Sequence, residues 1–266
     1  MRDRAGKGIA LLKVLAARVG HLGLLAALVV TWWYVSTEVL DRTTRALLPP
    51  PQAIAVAAWE LASTGDLWRH LRDSLTRELV AFLWALSAVP LGIAMGWWKR
   101  AENQFDPIFE MLRPVPPLAW IPLSILWFGV GDTQNEFIIF LGCFFPILVN
   151  TVAGVKGVEP TLVRAARCLG AGERQTLWRV VLRAALPQIV TGIRVGLGVG
   201  WMALVAAELV GASSGLGFLI NDARSVLRTD YVIVGMATIG IVGLLIDRVI
   251  RALTRRLMPW SQAGSR

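Results

Sequence analysis

Residues Glu159–Pro187 read EPTLVRAARCLGAGERQTLWRVVLRAALP, a basic, helix-prone stretch wedged between two long apolar runs. Five of its residues are arginine (Arg164, Arg167, Arg174, Arg179 and Arg183), yet no long hydrophilic domain surrounds them. On the cytoplasmic face of a polytopic membrane protein, a short cationic helix is a place where another protein can push.

The composition around it supports that setting. The chain has 266 residues, 55% of them hydrophobic, and a mean hydropathy of +0.59, well beyond a soluble domain. Its length accommodates about six spans of ~20 residues, each crossing ~30 Å of hydrocarbon. Backbone groups find no water there, so helices are the expected spanning element; the period-two alternation of barrel strands is not visible. The expectation is an all-α integral membrane protein with six transmembrane helices. A net charge of +9 would point to nucleic acid in a soluble chain, but cations also gather in the cytoplasmic loops of membrane proteins. The latter reading fits here, and no nucleic-acid partner is expected. Cys143 and Cys168 lack metal-site spacing, and no disulfide is expected between them. The basic start (Arg2, Arg4, Lys7) resembles a signal peptide. The apolar run that follows is long for one and lacks a clear cleavage site, so it reads as a retained helix.

Charge-poor windows place spans at Val19–Thr37, Leu79–Trp98, Pro114–Gly131 and Phe137–Val155, a fifth within Ile193–Asn221, and a sixth at Tyr231–Ile246. Asp247 and Arg248 then lie near an interface or snorkel to it. An even number of spans puts both termini on one side. That side carries 20 Lys and Arg against 7 on the other, so it is the cytoplasmic one. The expected organisation is a basic cytoplasmic N-terminus (1–18), one transmembrane domain (19–252) containing the 159–187 segment, and a basic cytoplasmic tail (253–266). In the long outer loop, Leu47-Leu48-Pro49-Pro50-Pro51-Gln52 stiffens the chain and starts an amphipathic helix over Ala53–Ser63. This is either a surface helix or a spacer.

Three apolar segments carry candidate functional residues. In the third span, Pro114, Pro116, Pro117 and Pro122 break the hydrogen-bond ladder around Trp120. Freed carbonyls inside a membrane must face protein or a water-filled cavity, as in discontinuous helices that line substrate pathways. Glu208 sits mid-span, where a carboxylate is expensive and turns inward, either as a structural pair or as a pathway residue. Ser213 and Ser214 follow it in a small-residue stretch suited to a re-entrant turn at a gate. Gly192, Gly196 and Gly200 form a small-residue face for tight helix packing, with subunit dimerisation as one use. Catalytic motifs are missing from the sequence. It has no G-x-x-x-x-G-K-[ST] phosphate loop, no H-E-x-x-H and no G-x-S-x-G. The chain reads as a transport component, not an enzyme.

Within the basic segment, Val163–Leu169 reads as a helix with Ala165, Ala166 and Leu169 on a small apolar face, flanked by Arg164 and Arg167. Gly170 closes it, and a second helix follows from Glu173 into the membrane. The spacing Ala165-Ala166-x-x-x-Gly170, with Val180-Val181-Leu182 later, resembles the cytoplasmic loop of permease subunits of bacterial ABC importers. Arg164 stands for that loop's Glu and Arg183 for its Pro. Further matching stretches are Leu48–Pro51, Gly92–Gly96, Arg113–Pro122, Trp127–Gly131, Thr191–Leu209 and Arg255–Trp260. They resemble the nitrate, sulfonate, taurine and bicarbonate branch, most closely its taurine permeases.

The resemblance implies a type I (binding-protein-dependent, MetI-like) permease fold in the bacterial inner membrane. It implies a homodimer with two cytoplasmic ATPase subunits and one extracytoplasmic binding protein. ATP and Mg would be bound by the ATPase partners and no cofactor by this chain. The loop would be the coupling helix that docks on the ATPase. The cargo expected is taurine or a similar small sulfonate; nitrate, bicarbonate or an organic acid is the alternative. An ion-driven secondary carrier is the rival class, and copurification of an ATPase subunit separates the two.

Overall fold

The computed structural model describes residues 23, 26–41, 44 and 47–257. The basic stretch Arg2–Lys7, the first residues of the expected span Val19–Thr37, and Met258-Pro259-Trp260 lie outside the described residues. Described residues 26–34 are helical and continue into a π-turn at Val35–Val39.

The fold is all-helical. Four of the described helices are long and apolar enough to cross a membrane: Asp66–Trp97, Asp132–Lys156, Glu173–Gly211 and Thr229–Arg256. Before them, α1 (Pro51–Ser63) begins two residues ahead of the expected Ala53 and ends where expected. Pro50 is extended (φ −67°, ψ 155°) and Pro51 occupies the first turn, where no N–H is needed. Ala57 and Leu61 pack against Leu219 and Val234, while Val56 and Trp59 stay exposed. Gly65 (φ +85°) then turns the chain into α2 (Asp66–Ala85), and α3 (Ala88–Trp97) continues the same span.

The polar connection after Trp98 is itself a helix, α4 (Lys99–Leu112), with no buried residue. Glu102 pins it to the span end by accepting from Lys99 (3.0 Å) and Lys156 (3.1 Å). The proline-rich segment is not one continuous span. A 3-10 turn at Pro117–Trp120 leads into the short α5 (Ile121–Phe128). Pro116 is extended (φ −63°, ψ 143°), as a residue before proline prefers, so the helix starts only after it. The apolar piece Pro117–Phe128 covers about 18 Å, short of the ~30 Å hydrocarbon thickness.

The central helix is α6 (Asp132–Lys156), which packs on α8, α3 and α2. The core runs along it: Ile139, Cys143, Ile147 and Leu148 meet Ala81, Ala85, Met95, Trp201 and Leu204. After α7 (Pro160–Cys168), α8 (Glu173–Gly211) runs unbroken through a π-turn at Leu177–Val181 and through Pro187. The span sought within Ile193–Asn221 therefore ends earlier, at Gly211. Ala212 is extended and Gly215 adopts φ +114°, which separates α9 (Leu216–Ser225) from α8. The last helix, α10 (Thr229–Leu257), passes beyond residue 253, where a tail was expected to begin. Trp201 locks it to α8 by donating to the Ile239 carbonyl at 3.2 Å. Asp247 faces Arg194 of α8 at 2.8 Å.

Candidate functional site

Helix α7 stands clear of the bundle, with none of its residues buried. Val163, only half-buried, is its anchor. It packs at the edge of the cluster of Val155, Leu177, Val181, Ala185 and Ile189, where α6 and α8 meet. Arg164, Ala165 and Arg167 are exposed, Ala166 is half-exposed, and Leu169 shows 89% of its surface. The turn that ends α7 is strictly hydrogen-bonded. Gly170 N–H donates to the Arg167 carbonyl and Ala171 N–H to the Ala166 carbonyl, both at 3.0 Å. This pair of bonds is a Schellman closure, which needs a left-handed residue; Gly170 has φ +84°. The chain can then double back into α8 at Glu173.

The proline-rich segment walls an open cavity of about 300 Å³, with Val115 and Pro117 on one side and Gly142, Pro146 and Asn150 of α6 on the other. A second cavity of about 270 Å³ shares Arg113 and Val149 with it and runs toward Asp106, Glu110 and Lys156. Together they form an apolar-to-polar track along α6. Pro114, Pro116 and Pro122 are exposed and Pro117 is half-buried. Trp120 turns away from the track into an aromatic cluster, 6.4 Å from both Trp127 and Phe137.

Glu208 is 1% exposed and fully engaged. Its Oε1 accepts from Arg77 Nη1 at 2.7 Å and from Ser74 Oγ at 2.8 Å; its Oε2 accepts from Gly217 N–H at 2.9 Å. Arg77 also reaches Asp132 (2.7 Å), the Ser214 carbonyl (2.6 Å) and Ser214 Oγ (2.8 Å). His70 Nδ1 accepts from Gly215 N–H at 3.0 Å, and Ser74 Oγ from Leu216 N–H at 2.8 Å. Four successive positions, Ser214–Gly217, are thus tied down by side chains of α2 and α8. Glu208 reaches no open space, so the geometry favours the structural side of its two readings. Ser213 is exposed on this turn, while Ser214 is consumed by Arg77.

Residues 88–259 match the family model described as "Binding-protein-dependent transport system inner membrane component". The chain belongs to that family. The permease is 46% identical over 245 residues to the taurine transport system permease protein TauC of Escherichia coli (strain K12), covering 90% of this chain and 88% of that one. It is 37% identical over 190 residues to the nitrate import permease protein NrtB of Synechocystis sp., covering 71% and 69%. Among solved structures, the MetNI methionine ABC transporter in inward-facing conformations aligns with a TM-score of 0.57 at 20% identity. That alignment spans 71% of this chain and 96% of the other, and marks a shared fold. The permease is a multi-pass membrane protein and an importer subunit of the branch that its sequence resembles.

In this permease Gly192, Gly196 and Gly200 lie inside the chain, against α6. A Cβ at Gly192 would fall 2.6 Å from Asn150 Cβ, and one at Gly196 would fall 2.8 Å from the Cys143 carbonyl. Gly200 abuts Cys143 Sγ and Glu78. The face is spent on the α6–α8 seam and is not available to a second subunit. Sequence reading missed Ser74, Arg77, His70 and Asp132, counting Arg77 as an outer-loop charge. Arg77 is 4% exposed within α2. The available signal was that Glu208 demanded a cation.

Proposed function

We propose that the permease is the membrane subunit of an ATP-driven importer that passes taurine or a similar small sulfonate into the cell. It works as a homodimer with two cytoplasmic ATPase subunits, which bind ATP and Mg, and one extracytoplasmic binding protein. Both termini are cytoplasmic. The observation that carries the coupling role is the unburied face of α7, Arg164 to Leu169, closed by left-handed Gly170. The substrate reading rests on the 46% identity to the taurine relative. The nitrate relative makes small oxyanions the second reading.

In this mechanism ATP closes the ATPase dimer and carries the two α7 helices with it. A ligand shifts a conformational equilibrium only by its differential affinity for the two states, so ATP favours the outward-open form through this contact. Cargo then passes along the track between α6 and the proline-rich segment, which Val115 and Pro117 wall and which Pro114, Pro116 and Pro122 flank. The turn carrying Ser213 and Ser214, held by Glu208, forms the outer gate.

The test is Gly170→Trp. The position has open space around it, so the bulk fits, but a left-handed non-glycine residue costs roughly 1–2 kcal/mol and the helix end is misplaced. The variant is expected in the membrane at normal level without the ATPase subunit in pull-down. Normal copurification sinks the docking role, and an importer with no ATPase partner at all returns the chain to the secondary-carrier class. Uptake of labelled taurine by proteoliposomes containing the binding protein, competed by ethanesulfonate and by nitrate, decides the cargo.

A further inference from the structure

Where α8 and α10 approach each other, the permease gathers cations around a groove. A cavity of about 260 Å³ is lined by Val190, Thr191 and Arg194 of α8 and by Arg251, Thr254 and Arg255 of α10. It adjoins a second concavity of about 420 Å³ through Arg251 and Arg255, running up α10 past Arg248 and Asp247 to Leu244. Asp247 is shared: its Oδ1 accepts from Arg194 Nε at 2.8 Å and its Oδ2 from Arg251 Nε at 2.7 Å. Arg248, Arg255 and Arg256 have no acidic partner among the described residues. Outside those residues the sequence offers one acidic side chain, Asp3, against several cations. Among the described residues this excess positive charge therefore has no acidic partner. Both threonine hydroxyls donate to backbone carbonyls, Thr191 to Pro187 and Thr254 to Ile250, which leaves the guanidinium groups as the donors facing the groove.

Depth in the membrane selects the occupant. Arg194 lies 17 residues before the Gly211 end of α8, about 26 Å along the helix. Asp247 lies 18 residues after Thr229, about 27 Å along α10. Both lie near the inner end of ~30 Å of hydrocarbon, and Arg251 and Arg255, 22 and 26 residues after Thr229, reach about 33 and 39 Å along α10, the level of the lipid headgroups. Above the arginines on the same face of α10, Leu244 lines the second concavity and is 51% exposed, an apolar wall on which an acyl chain can lie. The tendency of cations to collect on one side of a membrane accounts for their sign. It does not account for their convergence on one groove between two helices.

We propose that the groove between α8 and α10, walled by Arg194, Arg251 and Arg255, binds the phosphate headgroup of an anionic phospholipid. Arginine presents a planar fork of donors that suits phosphate oxygens, and basic pockets between membrane helices are suited to anionic headgroups.

The full-length permease, in nanodiscs of phosphatidylcholine doped with phosphatidylglycerol, is delipidated stepwise, and the lipids retained are counted by native mass spectrometry. Phosphatidylglycerol is expected to be kept in preference to phosphatidylcholine. In Arg251→Gln/Arg255→Gln that preference falls about 30-fold, the effect of two arginines at an anionic surface. Arg255→Gln alone, which breaks no described bond, loses about fivefold and guards against misfolding of the double variant. Arg100→Gln removes an exposed charge from α4 and leaves the preference intact. An equal fall in Arg100→Gln reduces the effect to bulk charge and overturns the proposal. So does inorganic phosphate displacing the lipid at millimolar concentration, which makes the groove an ion site. Unchanged lipid retention with loss of the ATPase subunit in the double variant also overturns it, making the surface a protein-docking face.

Discussion

Arg77 carries two carboxylates at once, Asp132 at its outer edge and Glu208 inside. Buried ion pairs of this kind add little net stability when complete. Removing one partner leaves an uncompensated charge, at a cost of about 3–5 kcal/mol. Arg77→Ala is therefore expected to lower the thermal unfolding midpoint of the detergent-solubilised permease sharply. Arg77→Ala/Glu208→Ala should cost less than the sum of the single changes, because neither ion is then stranded. Strict additivity would show that the two residues do not act as a pair. Only half of this pair was legible in the sequence. A carboxylate in the apolar window Leu204–Val210 announces that it needs a partner. Arg77 is 131 positions away, in a helix with three other basic residues nearby, and nothing local marks it as the one that turns inward.

At the scale of helices, the α6–α8 seam depends on missing side chains. Gly196 faces the Cys143 carbonyl and Ile147 so closely that any side chain must push backbone aside. Gly196→Leu is expected to cost at least the roughly 1–3 kcal/mol typical of overpacking, seen as lost monodisperse material in size-exclusion chromatography. Gly198 is the control: nothing lies within 4 Å of its Cβ position. Gly198→Ala should be neutral or stabilising by up to about 1 kcal/mol, since alanine is the better helix former. The four-residue glycine period disclosed a close-approach face before any coordinates. It could not disclose the partner, because α6 answers with residues of mixed type, Cys143, Pro146, Ile147 and Asn150, that no small-residue pattern marks. The Schellman turn at Gly170 was more legible, since both of its requirements, a helix end and a left-handed residue, are local. The proline-rich segment was legible as a break but not in its extent. Hydropathy counts apolar residues; it does not say that four prolines leave only Pro117–Phe128 as helix.

Across the whole molecule, α8 joins the two regions assigned to function. Its start at Glu173 follows the α7 turn and its end at Gly211 adjoins the gate turn, about 58 Å away. Spin labels at Gln175→Cys and Ser213→Cys, with Cys143 and Cys168 replaced, are expected to keep one separation with and without ATP in the assembled importer. A change larger than about one helical pitch, ~5 Å, would instead place a hinge at the π-turn Leu177–Val181. If the separation holds, α8 is a crank with no slack. Whatever displaces its foot displaces the serine turn in the same instant, because Glu208 and Gly217 bind that turn to its head. Outer opening then needs no signal of its own. Its timing is inherited from the nucleotide step, and a leak with both ends open would require this one helix to break.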